Sequence, residues 1–229
     1  ITISVIISWL TIKIAPRVGL MDIPGSAEHK NHDVAIPMTG GIVLIDTLFI
    51  LMIITGMWSI PEIKPILISG LIIGLFGLAD DYLNLSPLKK LFGQIFGSIV
   101  LIYLGIQVNI FGSPEFIFRT DTAIDTWLNL GFTLLWLVTL TNAFNFIDGL
   151  NGLCASMSLV CFVTIAYMIN LNDAPSLFPL ILPIGSIMGF LMYNLGIFGS
   201  NRNVFLGDNG ANALGFMCSW MLIYFSEKY

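Results

Sequence analysis

Four short stretches hold the polar residues whose types and spacing could do chemistry in an otherwise apolar chain. The first is Asp80-Asp81. Two adjacent carboxylates at the end of an apolar run repel each other, and such a pair binds a cation or a substrate, or holds a raised pKa. A pair of interfacial acids facing water is the competing reading. The second stretch runs from Asn142 to Gly152. In it Asn142, Asn145, Asp148 and Asn151 recur every three residues, and in a helix the first three would lie near one face. Amides with a carboxylate can read the edge of a base or a sugar. Gly149 and Gly152 let the backbone turn or approach a ligand closely. Helix capping would account for one such residue but not for four.

The third stretch, Gly207-Asp208-Asn209-Gly210, leads straight into an apolar run. Asp208 is either a simple N-cap or a carboxylate ligand for Mg²⁺, which takes one or two carboxylates plus phosphate oxygens. The fourth comprises Asp22-Ile23-Pro24, His29-Lys30-Asn31-His32 and Ile36-Pro37-Met38-Thr39-Gly40-Gly41. Lys30 and His32 could meet phosphate, although basic residues in such a loop also act as plain topology signals. The Pro/Gly elements are expected to form turns that lead into the next helix. Together the four stretches supply what phosphoryl transfer needs: carboxylates for a metal, amides for a nucleotide and cations for phosphate.

The elements that must position these residues are membrane helices. Of the 229 residues, 56% are hydrophobic and 10% charged, against about 25% charged in a soluble domain. The expected fold is all-α: one polytopic transmembrane helix bundle over 1–229. Backbone groups in lipid have to be satisfied within each segment, which selects helices. The apolar runs predict eight, at 1–15, 41–58, 66–79, 88–106, 127–143, 153–169, 177–194 and 211–225. Their loops alternate sides, and all four polar stretches fall on one side. Lys13, Arg17, Lys30, Lys89, Lys90 and Arg202 lie on or beside that side, against Lys64, Arg119 and Lys228 on the other. The bias makes the first side of this multi-pass protein cytoplasmic.

Other features exclude or qualify. The net charge of -5 forms no basic patch, which argues against nucleic acid. Cys154, Cys161 and Cys218 sit inside apolar runs and read as buried small hydrophobes. Glu115, Asp121 and Asp125 on the opposite side read as solvated surface. The pairs Gly70/Gly74, Gly93/Gly97 and Gly185/Gly189 predict close helix packing. A transporter or channel would rest on ionisable groups near mid-membrane, for which Asp46 is the clearest candidate and stands alone. A non-catalytic scaffold or degenerate paralogue is the third reading. The chain opens at Ile1 inside an apolar run and shows no signal peptide, so it reads as a fragment at both ends.

Taken in order, these residues resemble the polyprenyl-phosphate N-acetylhexosamine-1-phosphate transferases, glycosyltransferase family 4. The resemblance rests on Asp22-x-Pro24, Lys30-Asn31-His32, Pro37 through Gly41, Asp80-Asp81, Asn142-Ala143-Phe144-Asn145-x-x-Asp148-Gly149 and Gly207-Asp208-x-Gly210. It covers nearly the whole chain, and Asn142-Ala143-Phe144-Asn145 favours the N-acetylglucosamine-type branch that uses undecaprenyl phosphate. The resemblance implies transfer of N-acetylglucosamine-1-phosphate from UDP-N-acetylglucosamine to undecaprenyl phosphate, with release of UMP. It also implies a role in cell-surface polysaccharide synthesis at a bacterial inner membrane, with another UDP-N-acetylhexosamine as the alternative donor. It implies Mg²⁺ as cofactor, with Mn²⁺ as substitute, and admits a homodimer.

By the same resemblance, Asp208 binds the metal, and Asp80 handles the lipid phosphate with Asp81 beside it. Asp148 joins these as a catalytic carboxylate. Asn142, Asn145 and Asn151 hold the nucleotide side, and Lys30 and His32 contact phosphate. Three departures stand out. Asn151 replaces the family's common Asp, and Ala211 stands where a capping Ser is usual. The chain also ends before the family's His-rich loop and last helices, so the fragment itself is expected to be inactive.

Overall fold

In the computed structural model, residues 1–24, 34–57, 60, 63–112, 122–171 and 178–228 are described. Eight α-helices occur among them: α1 (Thr2–Val18), α2 (Gly40–Thr55), α3 (Ile63–Leu83), α4 (Pro87–Tyr103), α5 (Thr122–Ile147), α6 (Leu153–Leu171), α7 (Phe178–Asn194) and α8 (Gly207–Lys228). The expected count and order hold. At one end of the bundle, three helices run further than their apolar runs suggest. α3 continues through Asp80-Asp81, α5 continues through Asn145, and α8 starts at Gly207 instead of 211. Polar residues look like helix stops in sequence. Here their side chains find partners on neighbouring helices, which leaves the backbone free to stay helical.

A small sheet was not expected. β1 (Met21–Asp22) pairs antiparallel with β2 (Ile36–Pro37), and Met38 continues as a parallel bridge to Phe205. The Phe205 N–H donates to the Pro37 carbonyl at 2.8 Å. The Gly40 and Gly41 N–H groups donate to the carbonyls of Phe205 and Leu206, at 2.9 and 3.1 Å. First-turn N–H groups have no partner within their own helix. Two of those of α2 are therefore satisfied by the segment that leads into α8. Thus Pro37 through Gly41 do more than turn the chain: they tie the first loop to the entry of α8.

α8 lies at the centre, packed against α2, α3, α5 and α6. Ala211, Leu214 and Phe216 are fully buried in the main apolar core with Leu44, Ile73, Leu137, Phe162 and Phe190. The glycine pairs pack closely with one exception: Gly74 lies against Ile45, Gly93 against Phe76, Gly97 against Ile73 and Gly189 against Ser4, whereas Gly70 has its nearest neighbour at 3.9 Å. Small hydroxyls join the apolar side chains of the interior, and large apolar side chains also cover the flanks. Ser4, Ser8, Ser69, Ser98, Thr133, Thr141, Ser158, Ser186 and Ser219 are fully buried. Ile54, Leu71, Leu135, Val160 and Val163 are exposed on the flanks. Four interior hydroxyls, on Ser98, Thr133, Thr141 and Ser158, donate to the carbonyl four residues back, so they are satisfied without water. By length and composition, Ile63–Leu83 and Ala123–Ile147 could cross a membrane, and three further apolar helices are shorter. All three cysteines are free thiols, with Cys154 and Cys218 buried and Cys161 half-buried. Asp46 is exposed on α2 and does not face the bundle interior.

Candidate active site at one end of the bundle

The ends of α3 and α5 and the starts of α4 and α8 meet at the same end of the bundle. Asp80 and Asp81 are consecutive in a helix, so their side chains point about 100° apart. This angle separates their roles. Asp80 is buried; one carboxylate oxygen accepts the Leu85 N–H at 2.8 Å and the other pairs with the Lys90 ammonium. Lys90 also donates to Asp208 Oδ2 at 2.8 Å. The remaining Asp208 oxygen accepts from Asn145 Nδ2 at 2.9 Å. Lys90 and Asp208 are each about one-third exposed, so the cluster opens to the outside while Asp80 backs it.

Asp81 faces elsewhere. Its two oxygens accept the backbone N–H groups of Asp208 and Asn209, at 2.8 and 3.1 Å. Asp81 is therefore the cap of α8, supplied from another helix. This corrects the expectation of a second open carboxylate beside Asp80. It also corrects two readings of α8: Asp208 is not its own helix's cap, and the Ser missing at Ala211 leaves no gap, because Asp81 does that work. A carboxylate at a helix N-terminus is favoured by the helix dipole as well. The capping geometry requires glycine at 207, where φ is +73° and a Cβ would lie 2.9 Å from Asp81 Oδ2.

Asp148 follows the last turn of α5. Burial, reinforced by the negative charge of Asp208, pushes its carboxyl up to about 7. The turn that carries it is anchored by the buried Asn194. That side chain accepts the Gly152 N–H and donates to the Val204 carbonyl at 2.8 Å, tying the turn to the segment before α8. Gly152 has φ +80° and packs against Leu195, so it serves the turn; Gly149 has open space around it.

The remaining candidates do not join the cluster. Asn142 lies on the same stretch of α5 as Asn145, one turn deeper. Its amide donates to Gln94 Oε1 and to the Val138 carbonyl, so the expected contact with nucleotide is replaced by a link between helices. Asn151 is exposed in the turn after α5 and makes none of the cluster's hydrogen bonds. Lys30 and His32 lie outside the described residues. Sequence reading passed over Lys90, Gln94 and Asn194. Lys90 did carry a signal, because a cation in the first turn of a helix opposes the helix dipole and needs an anionic partner. Gln94 carried a fainter one, as an amide inside an apolar run.

A profile of glycosyl transferase family 4 matches residues 63–226. That span holds Asp80, Lys90, Asn145, Asp148 and Asp208. The chain is 30% identical to a probable undecaprenyl-phosphate N-acetylglucosaminyl 1-phosphate transferase of Bacillus subtilis, over 96% of this chain and 61% of that protein. It is 31% identical to the undecaprenyl-phosphate alpha-N-acetylglucosaminyl 1-phosphate transferase of Escherichia coli O157:H7, over 92% of this chain and 56% of that protein. A Salmonella typhi protein of the latter name is 28% identical over 96% of this chain and 59% of its own length. The chain thus spans less than two-thirds of the length of these relatives. With the matched span covering most of the chain and every member of the polar cluster, this protein belongs to glycosyl transferase family 4.

Proposed function

We propose that this protein transfers N-acetylglucosamine-1-phosphate from UDP-N-acetylglucosamine to undecaprenyl phosphate, releasing UMP, at the cytoplasmic face of a bacterial inner membrane. Three relatives carry names that specify the group transferred, N-acetylglucosaminyl 1-phosphate, and the acceptor, undecaprenyl phosphate. The observation that carries the reading is the meeting of Asp80, Lys90, Asn145, Asp148 and Asp208 at one end of an apolar bundle. A water-soluble nucleotide sugar and the phosphate of a membrane lipid can meet only at such a boundary. The apolar exterior of the bundle supports a polytopic membrane protein, as do the four interior hydroxyls that bond to their own helices.

The reaction breaks the bond between the β-phosphorus and the oxygen that bridges to the α-phosphorus. An oxygen of the lipid phosphate forms the new bond to the β-phosphorus, and UMP leaves with the electron pair. The Lys90 ammonium, held between two carboxylates, offsets charge on the phosphate oxygens. Asp80 fixes that ammonium and positions the acceptor. Asn145 fixes the orientation of the Asp208 carboxylate, and Asp148 lies beside them on the nucleotide side. Lipid phosphate is already largely ionised near neutral pH, so no group has to remove its proton.

Divalent metal fits this donor set. Asp80, Asp148 and Asp208 bring more negative charge than the Lys90 ammonium offsets. Among the described residues no three metal-binding side chains close on one point. That suits Mg²⁺, which usually binds one or two carboxylates and completes its shell with substrate phosphate oxygens and water. Asp208 is the residue to hold it, and when bound it would neutralise charge on the diphosphate. A transporter would need ionisable groups along the bundle interior, and its main candidate, Asp46, is exposed.

The test is UMP release from UDP-N-acetylglucosamine by the product of the whole gene, in liposomes containing undecaprenyl phosphate with and without Mg²⁺. Metal-dependent release is expected. No release with any UDP-N-acetylhexosamine would overturn the reading.

A further inference from the structure

Directly beneath the polar cluster lies a second layer made only of amides. Gln94 is four residues beyond Lys90 on α4, Asn212 four beyond Asp208 on α8, and Asn142 three before Asn145 on α5. α4 and α8 enter the bundle at the cluster and α5 leaves there, so each step leads one turn inward, about 5 Å. Gln94 Nε2 donates to Asn212 Oδ1 at 3.2 Å and more weakly to Asn142 Oδ1 at 3.4 Å. Asn142 Nδ2 returns a bond to Gln94 Oε1 and another to the Val138 carbonyl at 3.0 Å. Gln94 and Asn212 are each only 4% exposed. Both N–H groups and the carbonyl oxygen of Asn142 are thus committed inside the protein.

We infer that Gln94, Asn142 and Asn212 form a positioning layer that sets the mutual register of α4, α5 and α8, and through it the geometry of Lys90, Asn145 and Asp208. This rests on the proposed transferase function. The argument is physical. Van der Waals packing between apolar helices tolerates sliding and rotation, because many registers fit nearly as well. Buried amides do not tolerate it, since any shift leaves a donor or acceptor without a partner where water cannot replace it. The three helices joined here are those that carry the ammonium, the amide and the carboxylate of the cluster. The layer touches no reacting atom and acts through the turn above it. A contact with substrate would instead require a free amide edge, and Asn142 offers none.

The test compares wild type with Gln94→Met/Asn142→Leu/Asn212→Leu in the product of the whole gene. Replacing all partners by apolar groups of similar shape leaves no orphaned amide, so the variant is expected to fold with an unfolding midpoint no lower than wild type. Its kcat should fall by about a hundredfold, the loss typical of a displaced catalytic group. KM for UDP-N-acetylglucosamine should stay within about threefold, because no ground-state contact is removed. If the triple variant does not fold, Asn142→Leu, at the partly exposed member, carries the same comparison. A second readout needs no activity. Lys90, held between two carboxylates, should be acylated several-fold faster in the variant, scored by mass spectrometry. Unchanged kcat and unchanged Lys90 reactivity in a folded variant would overturn the positioning layer. So would a rise in KM at constant kcat, which would make Asn142 a substrate contact. Wild type without UMP release would instead overturn the transferase reading, and Lys90 reactivity alone would then decide the layer's role.

Discussion

Asp80 and Asp81 show how one residue of helical rotation divides two chemically identical side chains. Asp80 turns to Lys90 and the outward-facing cluster, and Asp81 turns to the backbone of α8. Removing the cap with Asp81→Ala should cost about 1–2 kcal/mol, the usual range for loss of a helix cap. Asp81→Asn, with one acceptor oxygen left, should lose less; denaturation in detergent measures both. Asp208→Asn is expected to lower UMP release about a thousandfold or more, as loss of a metal ligand commonly does, with membrane insertion unchanged. Asp148 allows a test by pH. Its carboxyl is raised to about 7, so the folded state prefers the proton and the ionised form opposes folding. That penalty is absent below the ordinary carboxylate pKa of about 4 and complete above about 7. Asp148→Asn should therefore raise the unfolding midpoint near pH 8 and leave it nearly unchanged near pH 4. An equal shift at both pH values would count against a raised pKa.

At the scale of elements, the start of α8 is the part that everything else holds. Asp81 caps it from α3, β2 and the first turn of α2 bond to the segment before it, and Asn194 ties that segment to the turn after α5. Close approach is built in through α3. A Cβ at Gly77 would lie 2.6 Å from the Asn209 Cα, a backbone atom that cannot move without moving α8. Gly77→Ala should therefore separate α3 from α8, lowering both the unfolding midpoint and kcat. Gly70→Ala, two turns deeper where the nearest neighbour is 3.9 Å away, should change neither. The pair of variants tests whether the cluster depends on this one contact or on α3 in general.

At the scale of the whole molecule, apolar flanks lead to the polar cluster where α3 and α5 end, and that arrangement was largely legible in advance. Composition and run length determined apolar helices, because a helix satisfies its own backbone hydrogen bonds where water is scarce. Spacing and order of the polar stretches gave the candidates Asp80, Asn145, Asp148 and Asp208, and alternation of loops put them on one side. The sequence by itself could not say which carboxylate faces the cluster and which caps a helix, since that depends on helix rotation and on where α8 begins. Nor could it bring Lys90 to Asp208 or turn Asn142 toward Gln94, because these partners are 118 and 48 residues apart along the chain. One-dimensional pattern fixes which residues share a helix face or an end of the bundle. Pairing between helices arises only when their relative rotation and depth are set, and those are properties of the tertiary structure, fixed by contacts and hydrogen bonds between residues far apart in the chain.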